Sequence, residues 1–302
     1  MTPDVQAGAG PVESGAIHDI GYRHYDGERR GRAAVRRAMF VESARGAYGL
    51  GRAGRTKVMP ALLLAAMCLP ALVGAAIAAL TGADELPIAY GGYVLNLQVL
   101  VSVYLAAQAP VSVSRDLRFG VMSLYFSRPM ERIDYVLAKY AALATAVLVL
   151  MALPLTILLA GALLAKMPLG EQLPDYLRAM GAAVLLALVL AGIGLLIAAV
   201  TPRRGLGVAA IIAVLLVLSG VQGAAQVIAT EQGTRDAAGW TGLLSPYTLV
   251  DGVAHRFLGQ DSVLGAGPPG TAGALVFAAV TALLVAGCLG LLVLRYRRVS
   301  IS

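Results

Sequence analysis

Six stretches of this chain contain no Asp, Glu, Lys or Arg, and they limit its fold more than any other feature. They cover residues 58–80, 88–112, 140–165, 179–200, 205–230 and 271–294. Each is roughly 22–26 residues long, enough to cross a ~30 Å hydrocarbon core as a helix rising ~1.5 Å per residue. Lipid offers the backbone no hydrogen-bond partner, so a crossing segment of this kind has to be helical. Charged residues are only 14% of the chain, against about 25% in a soluble domain. The sequence predicts an all-α integral membrane protein with six transmembrane helices.

The basic residues set its orientation. Ten Lys and Arg precede the first stretch, from Arg23 to Lys57. Five lie between the second and third: Arg115, Arg118, Arg128, Arg132 and Lys139. Arg203 and Arg204 follow the fourth, and Arg295, Arg297 and Arg298 follow the sixth. The other side holds only Lys166, Arg178, Arg235 and Arg256. By the positive-inside rule both termini are expected in the cytoplasm. The net charge of +7 then sits at membrane boundaries, where its partner is anionic membrane lipid and not nucleic acid. Arginine outnumbers lysine 21 to three, and Ala and Gly abound. That composition fits a GC-rich bacterial genome, so the expected location is the bacterial cytoplasmic membrane, multi-pass. No signal peptide or lipidation signature is visible in the sequence.

The division expected is a cytoplasmic N-terminal tail and interfacial helix over 1–57, then a six-helix transmembrane domain over 58–302. Within the first part, residues 33–48 read as a helix with Phe40, Ala44, Ala47 and Tyr48 on one face. Such a helix is expected to lie in the membrane interface. The glycines Gly49, Gly51 and Gly54 permit a sharp turn into the first span. Before it, Tyr22, His24 and Tyr25 sit among arginines in a polar tail.

Two spans carry polar residues at helical spacing. The second has Gln98 and Ser102 on one line and Tyr104, Gln108 and Ser112 on another; the fifth has Ser219, Gln222 and Gln226. A polar line in a membrane helix faces protein or water more often than lipid. Gln98, Ser102, Gln108, Ser219, Gln222 and Gln226 are therefore candidates for a translocation path or a dimer interface. All are neutral, which suits an amphipathic cargo better than a strongly charged one. The segment 231–270, with the single Trp240, is expected to hold a partly interfacial helix before a Gly-Pro linker. The buried-type cysteines Cys68 and Cys288 lie in separate spans and read as packing residues.

The loop over 114–139, SRDLRFGVMSLYFSRPMERIDYVLAK, is longer and more apolar than a reversal requires. Pro129 suits the first turn of the following helix, and Glu131 and Asp134 suit its N-terminal dipole. A short surface helix and a re-entry into span three are expected here.

Much chemistry is missing from the sequence. Lys57, Lys139 and Lys166 are the only lysines and none follows Gly, so no Walker A phosphate loop can form. His18, His24 and His255 fall on opposite sides of the predicted membrane, which leaves no metal cluster or Ser-His-Asp set. No catalytic, cofactor-binding or metal-binding residue is expected. In a proton- or ion-coupled carrier intramembrane carboxylates usually carry the ion, and no charged residue lies within a span. A driven transporter of this kind needs an engine on another chain.

The spans, the helix before span one and the loop before span three together resemble the type-2 ABC exporter permeases. The residues that carry the resemblance are Asp116, Gly120, the LYFSRPM run over 124–130, Tyr135 with Lys139, and Ser245–Pro246 before the last span. The tail GYRHYDGERRGR is similar to those of actinobacterial members. Asp116 stands where many relatives have Glu. The resemblance implies that the second-third loop is a coupling helix docked on a separate cytoplasmic ATP-binding subunit, with Asp116, Leu117, Arg118, Phe119 and Arg128 as contacts and Gly120 and Pro129 shaping it. It implies two permeases, a second copy or a homologue, on two ATPases. No cofactor belongs to this chain; ATP and Mg belong to the partner subunit. Export is implied by the resemblance alone, of an amphipathic drug, a lipid or a peptide. The alternative is a non-transporting membrane scaffold or signalling subunit, which would show no nucleotide-dependent movement and no companion ATPase.

Overall fold

The computed structural model describes residues 27, 31–51, 53–83, 85–118, 130–201, 203–262 and 267–298, with the side chains of 114–118 and 298 left aside. Among these residues every regular element is helical. The N-terminal tail with Tyr22, His24 and Tyr25, and the loop residues 119–129, lie outside the described residues.

The chain runs α1 (Arg32–Ala47), α2 (Arg55–Thr81), α3 (Tyr90–Asn96), α4 (Gln98–Arg118), α5 (Arg132–Leu164), α6 (Leu169–Val200) and α7 (Arg204–Glu231). Two short helices follow, α8 (Arg235–Trp240) and α9 (Pro246–Val253), joined by a 3-10 turn over Thr241–Leu244. A π-turn over Ala254–Leu258 and the last helix, α10 (Gly270–Arg298), complete the order. Helices α2, α5, α6, α7 and α10 are each long and apolar enough to cross a membrane.

The remaining candidate is a bent pair of helices, a sixth span only when the two are taken as one. The sequence predicts one helix over 88–112; instead α3 and α4 meet at Leu97 with a bend of 57°. No Pro or Gly sits at Leu97, so the cause is tertiary. Tyr93 donates its hydroxyl to the Met67 carbonyl of α2, which fixes α3. The Gln98 carbonyl, the first of α4, accepts from Ser102 (2.8 Å) and from Tyr247 of α9 (3.1 Å). Each arm is thus held by different neighbours.

Other boundaries also differ from the apolar stretches. α5 begins at Arg132, eight residues before its charge-free run, and later than the Pro129 expected in its first turn. Glu131 is the N-cap and forms a capping box with Asp134, so the local hydrogen bonds and not the proline set the start. α6 begins at Leu169, ten residues early, behind Pro168 at its N-cap. The connection before it is only four residues, with Lys166 at φ +64°. The segment expected to be one interfacial helix is a chain of short turns that folds back between the long helices.

The long helices alternate in direction. Arg295 of α10 donates to the Ala199 carbonyl near the end of α6, at 2.7 Å. Arg132 at the start of α5 donates to the Arg297 carbonyl. The start of α5 and the ends of α6 and α10 therefore share one end of the bundle, called proximal here. Tyr90 at the start of α3 donates to Gln172 at the start of α6, at 3.1 Å; these mark the distal end.

α5 and α6 carry most of the core, with Leu150, Leu155, Leu158 and Leu190 wholly buried. α2 and α5 run parallel and touch along Gly74, Ala75 and Gly161. A Cβ on Gly161 would stand 2.1 Å from that of Ala75. Small residues let two backbones approach this closely, and in lipid such van der Waals packing is the main force between helices. α1 follows α5 from its first turn to its fourth: Arg32 meets Asp134, and Tyr48 donates to the Ala146 carbonyl at 2.6 Å. Met39, Gly46 and Ala47 are buried on that side, so protein covers at least part of the face expected to meet lipid. Gly49 then turns the chain at φ +69°, where a side chain would collide with Thr56.

Candidate functional site

The polar lines converge on the tip of the folded-back segment. Ser245 ends the 3-10 turn in extended geometry (φ −125°, ψ 140°), and Pro246 opens α9 at its first position, where its missing N–H costs nothing. The chain enters through α8 and leaves through α9, with Ser245 and Tyr247 almost wholly buried. Ser245 lies 3.2 Å from Ser219 of α7. Ser219 is twelve residues from the C-terminal end of α7 at Glu231, ~18 Å along a helix of ~42 Å at 1.5 Å per residue. The tip therefore reaches well into the apolar bundle.

Besides Ser245–Ser219, three side-chain contacts hold it there and a fourth closes it on itself. Tyr247 and Ser102 of α4 share a hydrogen bond of 2.6 Å. Tyr247 also donates to the Gln98 carbonyl. The Thr241 hydroxyl donates to Gln226 Oε1 of α7 at 2.5 Å, and Thr248 donates to the Gly242 carbonyl at 2.8 Å, closing the turn on itself. Every one of these bonds is between neutral groups. In hydrocarbon such bonds satisfy groups that water cannot reach, at about 0.6 kcal/mol each.

Of the predicted path residues, Ser102, Ser219 and Gln226 thus meet the tip through their side chains, and Gln98 through its carbonyl. Gln222 lies between Ser219 and Gln226 on α7, 5% exposed, and its Nε2 has no hydrogen-bond partner among the described residues. Gln108 is buried farther along α4, toward the proximal end and apart from the tip. The sequence did not single out Thr241, Tyr247 or Asp251. The available signal was Ser245–Pro246, a helix-opening pair inside an otherwise apolar run.

The docking residues fare differently. Asp116, Leu117 and Arg118 close α4, with side chains not described; Phe119, Gly120, Arg128 and Pro129 lie outside the described residues. What is visible is the frame around them. Arg32 of α1 donates to Asp134 and to Glu131 of α5, both at 2.5 Å, and Arg36 stands 3.7 Å from Asp134. Asp134 and then Glu131 raise the Arg32 guanidinium above its ordinary value by hydrogen bonding. Arg36, which interrupts the apolar face of α1 in sequence, is explained by this ion pair. Beside it, the Lys139 ammonium lies 5.6 Å from the Tyr135 ring, which packs on Tyr296 of α10.

A family model described as ABC-2 family transporter protein matches residues 24–299. No curated protein matches the chain.

Proposed function

The chain belongs to the ABC-2 family of transporter proteins, and on that premise we propose that it is the membrane half of an ATP-driven exporter for an amphipathic drug, lipid or peptide. As a member of that family it is a multi-pass ABC transporter permease and not itself the catalyst. Permeases of the family generally dimerise and work with an ATP-binding subunit. The reading places both termini and the 114–139 loop in the cytoplasm of a bacterial cell, with 1–57 as a cytoplasmic region and 58–302 as the transmembrane domain. The loop, through Asp116, Leu117, Arg118, Phe119, Gly120, Arg128 and Pro129, docks on the ATPase, which binds ATP and Mg.

The observation that carries this reading is the neutral polar seam inside an apolar bundle. Ser102 and Tyr247 on one side, and Ser219, Gln226, Ser245 and Thr241 on the other, give a cargo hydrogen-bonding groups at membrane depth without a fixed charge. Gln222, whose amide Nε2 has no partner among the described residues, is the natural first contact for a cargo carbonyl or phosphate ester. The ion-paired junction of α1 with α5 supports the docking role, because it ties the element after the loop to a second helix. Movement of the loop would then shift α5 and α1 together.

The test is reconstitution with a cognate ATP-binding subunit. Arg118→Ala with Phe119→Ala is expected to abolish co-purification of the two subunits. Gln222→Leu is expected to keep the complex but lower cargo-stimulated ATP hydrolysis severalfold. A double variant that still binds the ATPase as tightly as the parent removes the docking assignment.

A further inference from the structure

At the distal end, α5 closes in a backbone turn with an unusual residue at its centre. The Met167 N–H bonds back to the Ala162 carbonyl at 3.0 Å, and the Lys166 N–H bonds to the Leu163 carbonyl at 3.1 Å. This paired closure needs one residue at positive φ, and glycine commonly fills the place because a side chain there is strained. Here Lys166 fills it at φ +64°, the only residue other than glycine at positive φ among the described residues. A glycine would close the turn at lower cost, so the lysine side chain has to be worth the strain.

The protein itself makes no use of that side chain. Lys166 is exposed, and its ammonium has no hydrogen bond or ion pair among the described residues. The next acidic residues in the chain, Glu171 and Asp175, lie on α6, and Arg178 already holds Asp175 at 2.7 Å. The surroundings are apolar. Ala78 near the end of α2, Ala162 near the end of α5 and Met167 are buried in one small cluster, which brings both helix ends to the lysine. Leu80 (87% exposed), Leu163, Leu164 (75% exposed), Leu169 and Leu173 face outward from the same three helices.

Position decides what covers this leucine collar. Lys166 is the first charge after the uncharged run over 140–165, so the corner stands at the edge of the hydrocarbon. Leu169 and Leu173 continue, at helical spacing, the outward face of α6 that carries Leu177 and Val184. The collar is therefore continuous with surface that lipid chains cover. A lysine whose apolar stem lies along such a surface can hold its ammonium at headgroup level.

We propose that the corner of α2, α5 and α6 is a seat for an anionic phospholipid. Lys166 takes the headgroup phosphate, and the leucine collar takes the acyl chains. The seat depends on the chain crossing a membrane and not on transport, so it goes beyond the permease reading.

Quenching of a local reporter tests it. Trp240 is the single tryptophan of the chain. In the full-length protein, Trp240→Phe with Leu164→Trp leaves one indole beside Lys166. The protein is placed in mixed vesicles of phosphatidylcholine and phosphatidylglycerol, with the chains of one lipid or the other brominated. Quenching is expected to show a preference of about fivefold for phosphatidylglycerol, the effect of one basic residue at a membrane surface. Lys166→Arg is expected to keep that preference. Lys166→Gly and Lys166→Asn, both tolerated at this φ, are expected to bring it to parity. Parity with Lys166 in place overturns the proposal. So does a preference that survives in Lys166→Gly, the result expected of a lysine that only complements the dipole of α5. Lys166→Asn decides the matter if the glycine variant does not fold. No ATP-binding subunit is present in the vesicles, so failure here leaves the permease reading standing.

Discussion

Helices α5 and α6 are buried over 44% and 61% of their most apolar windows, whereas α7 and α10 are buried over only 17% and 22%. The contrast extends to the kind of contact. The α2–α5 pair meets backbone to backbone at Gly161 and Ala75, and α5 is tied to α1 by charge. α7 packs on α4 as well as on the folded-back tip, α10 packs chiefly on α5 and α6, and α7 shows Val214, Val217, Val221 and Ile228 outward. In water the open half would be the weak half. In lipid the comparison teaches something else, because apolar exposure there carries no penalty and close packing is the main gain. The dense half has the contacts of a fixed body, and the open half has the polar groups and the freedom to rearrange.

Substitutions can break or sharpen that contrast. The largest effect is expected at Gly161→Leu, where any Cβ already collides with Ala75; overpacking of this kind costs about 1–3 kcal/mol or more. It should lower the thermal midpoint of the purified protein and its yield together, and a parent-like midpoint would remove the claim that the dense half is rigid. Next is Asp134→Ala, which deletes the capping box of α5 and leaves Arg32 only its exposed partner Glu131. The lost cap costs about 1–2 kcal/mol, and trypsin should cut α1 away faster. Tyr247→Phe removes two hydrogen bonds from the tip, worth about 1 kcal/mol at most in a membrane. It should alter cargo-stimulated ATPase activity while the thermal midpoint barely moves. The smallest is Ser219→Ala, below ~0.6 kcal/mol, whose expected signature is a change in cargo preference alone.

The long helices of both halves were legible from sequence, α7 and α10 starting within one residue of their charge-free runs and α5 and α6 eight and ten residues early. A charge-free run of apolar residues announces a span directly, and Glu131 with Asp134 announces the start of α5. Gly49 and Gly51 foretold the turn after α1, since both adopt positive φ. The bend at Leu97 was not readable, because the bonds that hold it come from Met67 and Tyr247, far away in the chain. The tip was not readable either. Its helices are six and eight residues long, too short for a hydrophobic period to register, and its buried Asp251 looks in sequence like any loop carboxylate. Of the polar lines, spacing gave Ser102, Ser219 and Gln226 correctly as inward residues, but their shared partner could come only from the three-dimensional fold.

The elbow at Leu97 has a mechanical consequence. A straight rod hands a twist applied at one end to the other end unchanged. Here the arm that carries Asp116 is bonded to the tip, while the arm that carries Tyr93 is bonded to α2. A pull on the long arm would therefore be taken up as a swing beneath Tyr247 and Ser245, at the height where the polar groups gather, and would leave the short arm in place.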